Sequence, residues 1–149
     1  MREMPNGAFA VPGATEKAVD TFDDIFLALM DGQRTRAVAG TNQNARSSRS
    51  HTIFVIKYNQ KNTDGSTQSG RLNLVDLAGS ERIDKTGATG DTLKEGIKIN
   101  LSLTSLGGCI NALVEGKKHI PFRDSMLTRL LKDALGGNSK TTLLCTASK

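Results

Sequence analysis

Apolar residues recur with helical spacing in three segments of the chain. After Thr21, five of them share one helical face, and Gly32 is expected to end this helix: Phe22, Ile25, Phe26, Leu29 and Met30. Thr21 is expected to cap the helix, with Asp24 three positions later as its capping-box partner. A longer apolar stripe predicts a second helix from about Thr92 to Val114, which Gly116 terminates.

The last third of the chain predicts a third helix and a closing strand. Asp124 is expected to cap this helix, and Gly136-Gly137 to stop it. Its inward-facing positions are leucines: Leu127, Leu130, Leu131 and Leu135. Thr141–Ala147 is apolar and β-branched enough to predict a strand.

Two earlier runs predict a β-hairpin. Thr52–Tyr58 and Leu72–Leu77 are rich in β-branched and aliphatic residues, and Asp64-Gly65 between them is a turn signal. A short extended piece is expected around Ala8–Val11. Strands that alternate with helices of this length predict a layered α/β domain.

Composition restricts the classes of protein that fit. Of the 149 residues, 37% are hydrophobic and 23% charged, which is typical of a folded domain. No uninterrupted apolar run approaches a bilayer span, and we expect no membrane partner. Cys109 and Cys145 lack zinc-site spacing, so a reducing compartment is expected. Aromatic residues are only 4%, without Trp, which argues against a nucleic-acid partner read by base stacking.

The charge is unevenly distributed. Residues 1–81 carry 9 basic and 9 acidic side chains, whereas residues 82–149 carry 11 basic and 6 acidic ones. The whole net charge of +5 therefore belongs to the second part, which favours a polyanionic partner.

Two loops carry candidate chemistry. Residues 44–51 (NARSSRSH) lead directly into the first strand of the hairpin, with hydroxyl and amide groups suited to phosphate and Mg²⁺. Asp76 ends the second strand, where a carboxylate can serve Mg²⁺ directly or through water, and Gly79 lets a backbone N–H approach a phosphate. Each loop alone has an ordinary structural explanation. Their attachment to the two strands of one hairpin is the more specific signal.

These two loops resemble switch I and switch II of a kinesin motor domain. The resemblance rests on NARSSRSH and on LVDLAGSER at residues 74–82, and it continues through EGIKINLSLTSLGGCINAL and HIPFRDSMLTRLLKDALGG. It covers roughly residues 8–149. It implies an incomplete α/β fold of the P-loop NTPase type, a three-layer sheet with helices on both faces, without its early strands. Residues 1–149 would then be a partial motor domain, divided into 1–81 with both switches and 82–149 with the relay helix and track-binding region.

The resemblance implies roles for particular residues. Asn44 and Ser47 would face the triphosphate of ATP, and Ser48 would join the Mg²⁺ shell. Asp76 would hold that shell through water, and Gly79 would sense the γ-phosphate. Arg49 and Glu81 would form the ion pair that closes the two switches around the attacking water.

The same resemblance implies a microtubule as the acidic partner, and a location in the cytoplasm on the microtubule cytoskeleton. The basic residues that would meet tubulin are Arg82, Lys85, Lys117, Lys118, Arg123 and Arg129. Three positions depart from the usual pattern. Lys94 replaces a commonly acidic residue, and Leu101 and Met126 replace lysines, which lowers the expected charge of the track-binding face.

The sequence contains no G-x-x-x-x-G-K-[ST] phosphate loop. Residues 136–141 (GGNSKT) are the nearest match and lack the spacing. Two hypotheses remain open at this point. The chain is either a segment of an ATP-driven microtubule motor that hydrolyses ATP only together with residues outside this sequence, or a non-catalytic, kinesin-derived microtubule-binding module.

Overall fold

The computed structural model describes residues 2–3, 9–38, 50–80 and 90–146. The chain divides into two compact units, one formed by Thr15–Ile99 and the other by Met1–Ala14 together with Asn100–Lys149. Two short strands, β1 (Arg2–Glu3) and β2 (Phe9–Ala10), pair antiparallel in the second of these units. Strand β2 lies in the extended piece predicted around Ala8–Val11, which confirms that prediction.

Helix α1 (Phe22–Val38) begins where the sequence predicts. The Asp24 N–H donates to Thr21 Oγ1 at 3.1 Å, and the Thr21 N–H donates to Asp24 Oδ2 at 3.0 Å, so the reciprocal capping box is confirmed. The Thr21 hydroxyl also donates to Asp24 Oδ2 at 2.7 Å, and this bond, together with the one from the Thr21 N–H, holds the pKa of Asp24 below its ordinary value. The predicted end at Gly32 is wrong. A single glycine weakens a helix by only about 1 kcal/mol, and here the helix continues through it to Val38.

The hairpin consists of β3 (Thr52–Lys61) and β4 (Thr67–Asp76), paired antiparallel as predicted. Both strands are longer than the apolar runs because the polar residues near the turn also pair, as in Lys61↔Thr67. Gly65 adopts φ +82° in the turn, and the Ser66 N–H donates to Asp64 Oδ1 at 2.8 Å. The register places Thr52 opposite Asp76, so the beginning of β3 and the end of β4 are adjacent.

Helix α2 (Gly90–Val114) begins two residues before the predicted position and ends as predicted at Gly116. Gly116 adopts φ +64°, the Lys117 N–H donates to the Ala112 carbonyl at 2.9 Å, and the Gly116 N–H donates to the Leu113 carbonyl at 3.1 Å. This pattern is a Schellman motif, for which glycine is favoured.

The second unit contains a 3-10 turn (Phe122–Asp124) and two short helices, α3 (Met126–Leu130) and α4 (Lys132–Gly136). The predicted third helix is therefore two helices with a break at Leu131. Its predicted cap, Asp124, is also wrong. Ser125 is the cap, because its hydroxyl accepts the Thr128 N–H at 3.0 Å while Thr128 Oγ1 accepts the Ser125 N–H at 3.2 Å. The predicted stop at Gly136-Gly137 is confirmed, since α4 ends at Gly136.

Buried side chains concentrate in this second unit. Those on α2 repeat every three residues, and on α3 an adjacent pair is followed about one turn later by the residue at the break: Leu106, Cys109, Ala112, Leu127, Thr128 and Leu131. Burial raises the pKa of the Cys109 thiol, and the nearby Asp124 carboxylate raises it further. Cys109 therefore behaves as a small apolar core residue.

The predicted closing strand is not formed. Residues 141–146 have no strand pairing, and the side chains of Leu143 and Leu144 are exposed. A strand exists only when its backbone groups pair with a neighbouring strand, and among the described residues the strands pair only as β1 with β2 and β3 with β4. The local sequence specifies an extended, apolar segment but cannot supply its partner.

Leu93–Val114 within α2 is long and apolar enough, by length and composition only, to cross a membrane. No segment of this kind is expected from the sequence when only uninterrupted apolar runs are considered. Here, small Gly and Ser residues between the apolar positions leave the average hydropathy high. The core helix of a globular domain passes the same test when it is mostly buried, whereas 17% of this apolar stretch is buried, at Leu106, Cys109 and Ala112.

Candidate functional site at the paired strand ends

Arg36 binds the carboxylate at the end of β4. Arg36 lies in the last turn of α1, and its Nη1 is 2.7 Å from Asp76 Oδ2. The arginine side chain is 21% exposed and the aspartate 69% exposed. Such a partly solvated pair contributes at most about 1 kcal/mol to stability, so its main effect is to orient Asp76.

The same guanidinium also binds the residue that precedes β3. Arg36 Nε donates to Ser50 Oγ at 3.1 Å, and Nη2 donates to the Ser50 carbonyl at 2.9 Å. The rigid fork of donors lets one arginine hold two chain segments at once. Arg36 thus joins the end of the first candidate loop to the start of the second.

His51 makes a second connection between these segments. Its Nδ1 accepts the Ala78 N–H at 3.0 Å, so the proton of the neutral ring is on Nε2. Ala78 is buried, and burial of the half-exposed imidazole lowers the pKa of His51. The lowered pKa favours the neutral ring, which is the form that can accept this bond.

A cavity of about 520 Å³ adjoins these groups, between α1 and the first residues of β3. Its lining includes apolar side chains, such as Leu29 and Ile53, and polar ones, such as Arg36 and His51. The guanidinium and imidazole that connect the two loops therefore also line a space beside them.

Asp76 fits a Mg²⁺ site of the kind that the sequence indicates. Its Oδ2 is bound by Arg36, and Oδ1 accepts no hydrogen bond from any residue that the structure describes. Mg²⁺ is commonly held by one carboxylate with phosphate oxygens and water, and it supplies charge neutralisation when bound. Within the described ranges no three His, Cys, Asp or Glu side chains are grouped to hold a metal.

The other predicted nucleotide-site residues fall outside the described ranges, except Gly79. Gly79 follows the buried Ala78 and is itself half-buried. The structure does not describe the following residues: Asn44, Ser47, Ser48, Arg49 and Glu81. The predicted Arg49–Glu81 ion pair accordingly stays a prediction.

The predicted basic surface is described only in its later part. Arg82 and Lys85 lie outside the described residues, while Lys117, Lys118 and Arg123 are exposed. Lys117 Nζ is 2.7 Å from Glu115 Oε2, so part of its charge is compensated within the same loop. Arg129 is only half-exposed, and its guanidinium donates to the Arg123 carbonyl.

Comparison with known proteins decides the family. The kinesin motor domain family model matches residues 1–149. Kinesin-related protein 5 of Dictyostelium discoideum is 56% identical over 149 residues, which is 99% of this chain and 15% of that protein. The kinesin heavy chain of Gibberella moniliformis is 53% identical over 99% of this chain and 16% of its own length. This chain belongs to the kinesin motor domain family.

Solved kinesin structures agree with this assignment. A fast kinesin, described with implications for its ATPase mechanism and microtubule interactions, matches 93% of this chain and 40% of its own at TM-score 0.79 and 53% identity. A dimeric kinesin with AMP-PNP in complex with a microtubule matches at TM-score 0.81 and 44% identity, over 93% of this chain and 41% of that one. The predicted α/β kinesin motor fold, in incomplete form, is confirmed. The chain spans about a sixth of the length of its curated kinesin relatives.

Sequence reasoning assigned no contact to the three residues that connect the two candidate loops, which are Arg36, Ser50 and His51. Arg36 was obscured because α1 was expected to end at Gly32. A basic residue in the last turn of a helix was the available signal, but it does not identify a partner 40 positions later. His51 was part of the kinesin resemblance without an assigned contact.

Proposed function

We propose that this chain is a segment of an ATP-driven microtubule motor in which the two switch loops sense the γ-phosphate and couple hydrolysis to microtubule binding. The observation that carries the proposal is the double connection at the paired strand ends. Arg36 joins Ser50 to Asp76, and His51, the residue after Ser50, accepts the Ala78 N–H. A change at either loop is thereby passed to the other, as a nucleotide switch requires.

The roles at the nucleotide follow from this arrangement. Asp76 orients the Mg²⁺ shell with Ser48, while Asn44 and Ser47 contact the triphosphate and Gly79 reports the γ-phosphate through its N–H. Arg49 and Glu81 close the switches around water. Phosphoryl transfer depends mostly on such positioning and on charge stabilisation.

The track-binding role is part of the same proposal. The exposed cations Lys117, Lys118 and Arg123 favour an acidic partner, and a matched kinesin was solved in complex with a microtubule. Arg82 and Lys85 are expected to extend this surface, and the expected location is the microtubule cytoskeleton. Leu101 and Met126 are exposed apolar residues, so replacing each with lysine should tighten binding at low salt.

The experiment compares two forms of the chain. These 149 residues alone are expected to show no microtubule-stimulated ATP hydrolysis, because the sequence has no phosphate loop. Joined in frame to a kinesin segment that carries G-x-x-x-x-G-K-[ST], they are expected to hydrolyse ATP. Asp76→Asn should then lower the rate by about 100-fold, since the uncharged amide cannot serve the Mg²⁺ shell in the same way.

Asp64→Asn is the matched control, because Asp64 lies in the hairpin turn at the opposite end of the strands. It should leave the rate within about twofold. Equal activity of the Asp76→Asn and parent proteins would exclude the proposed nucleotide role of Asp76.

A second candidate, a microtubule-binding module without catalysis, is favoured by the exposed cations after α2. It predicts saturable co-sedimentation of the 149 residues with microtubules, weakening with salt. If the joined protein binds microtubules but never hydrolyses ATP, this second function replaces the first.

A further inference from the structure

Two consecutive side chains of α3 bind two consecutive carbonyls of the 3-10 turn before it. Thr128 Oγ1 lies 2.9 Å from the Phe122 carbonyl oxygen. Arg129 Nε and Nη2 donate to the Arg123 carbonyl oxygen at 3.1 and 2.7 Å. The turn backbone is thus held by the helix that follows it, each contact spanning six residues.

Arg129 differs from the exposed cations of the loop in its burial and in the backbone group that its donors bind. Arg123 and Lys118 are exposed, whereas Arg129 is half-exposed and has two of its five N–H donors on a backbone carbonyl of its own loop. A guanidinium held in this way contributes a defined backbone geometry, which sets the direction in which the Arg123 side chain leaves the turn.

We propose that Arg129 is a positioning residue of the microtubule-binding loop, which shapes the Phe122–Asp124 turn, while Arg123 carries the charge that meets the acidic partner. The inference rests on the proposed track-binding function. It changes the role expected for Arg129, which as an isolated cation was expected to contact tubulin itself.

Lysine substitutions separate geometry from charge. Lysine keeps the positive charge of arginine but is a point donor, so it cannot place two donors on one carbonyl in the guanidinium geometry. Arg129→Lys should therefore weaken binding about as much as Arg129→Gln. At position 123 the order differs, because Arg123→Lys should bind nearly as well as the parent and Arg123→Gln should not.

The binding experiment measures the dissociation constant for microtubules by co-sedimentation over a series of salt concentrations. Both Arg129 variants are expected to raise the constant by about threefold to tenfold with an unchanged salt dependence. Arg123→Gln is expected to reduce the salt dependence. Lys61→Gln, at the exposed end of β3, is the control for loss of one positive charge. Parent-like binding by Arg129→Lys, with weakened and less salt-dependent binding by Arg129→Gln, would overturn the proposal.

Backbone amide exchange of the free protein supplies a second measurement that needs no microtubule. The Asp124 N–H donates to the Pro121 carbonyl at 3.2 Å and the Ser125 N–H to Thr128 Oγ1 at 3.2 Å, so both report the turn. Both Arg129 variants should speed their exchange severalfold, while the Lys118 amide and the amides of α1 remain unchanged. Unchanged exchange at Asp124 and Ser125 would contradict positioning even if binding falls.

The two proposals fail in different ways. If the parent protein does not sediment with microtubules, the track-binding function fails and with it the binding role of Arg123. Faster exchange in the Arg129 variants would still establish that Arg129 shapes the turn. If the parent binds and Arg129→Lys affects neither binding nor exchange, only the positioning role is lost.

Discussion

The two compact units distribute burial and chemistry in opposite ways. In the unit of Thr15–Ile99 the connections between the two candidate loops are made by polar groups, and among its described residues Ala78 is the only buried apolar one. The unit that contains Asn100–Lys149 holds Leu106, Cys109, Ala112, Leu127 and Leu131 in its interior. The comparison shows that a helix pair with a capped turn can bury its own face, whereas a two-stranded sheet cannot.

The hairpin illustrates this limit. Phe54 pairs with Leu74 and Ile56 with Leu72, so the strands bring apolar residues together on one face, yet Leu74 is 48% exposed. Solved kinesins that match this chain are about two and a half times as long as the part matched. The apolar strand faces are suited to packing against such additional elements.

The largest effect is expected from a substitution in the interior of the unit that contains Asn100–Lys149. Leu127→Ala should lower the free energy of unfolding by about 2 to 5 kcal/mol, because it removes a buried side chain and leaves a cavity. Chemical denaturation of the purified protein measures this. Leu144→Ala is the control, at 86% exposure, and Leu74→Ala should fall between the two. A loss for Leu74→Ala as large as that for Leu127→Ala would contradict the contrast between the units.

The next effect concerns the fully buried hydroxyl of Thr128. Thr128→Val keeps the shape but leaves the Ser125 N–H without its acceptor, so a loss of about 1 to 3 kcal/mol is expected. Thr128→Ser retains the hydroxyl and should lose less. If Thr128→Val and Thr128→Ser lower the free energy of unfolding equally, the capping box is not what stabilises α3.

A smaller effect is expected on the hairpin at the Tyr58↔Gly70 pair. A Cβ atom at position 70 would lie 2.1 Å from Tyr58 Cε1, so Gly70→Ala must displace the ring, at a cost of about 1 kcal/mol. The same substitution in a Tyr58→Ala background should cost much less, and this difference is the coupling energy of a double-mutant cycle. If the free-energy changes of the two substitutions are additive, the Tyr58 ring does not pack against Gly70.

The smallest effect is a pH dependence at His51. Its folded-state pKa lies below the ordinary value of 6.5, so the unfolded chain takes up the proton more readily. The contribution to stability is complete above about pH 6.5 and is lost as the pH falls through that value toward the folded pKa. The denaturation midpoints of the parent and of His51→Gln are measured at about pH 7.5 and at about pH 5. The difference between the two proteins should be smaller at the lower pH. A parent curve parallel to that of His51→Gln would exclude His51 as the cause.

Local signals were sufficient where a contact lies within a few residues. Thr21 and Asp24 specify their capping box, Asp64-Gly65 specifies the turn, and Gly116 specifies the end of α2. At α3 the local signals were ambiguous, because the adjacent residues Asp124 and Ser125 are both of types that cap helices. The structure shows that the Ser125 hydroxyl is the group that accepts the Thr128 N–H. The kinesin family was recognisable because its two switch sequences are long and specific.

The sequence by itself determined the start of α1, the hairpin, the end of α2, the family and the positions of the charged loops. Tertiary structure alone decided that Arg36 binds Asp76, that His51 accepts the Ala78 N–H, and that Arg129 binds the Arg123 carbonyl. It also decided that residues 141–146 form no strand. The physical reason is the same throughout. Turn and cap geometry follow from neighbouring dihedral angles, whereas hydrogen bonds between distant or folded-back segments depend on which groups the folded chain brings within about 3 Å of each other.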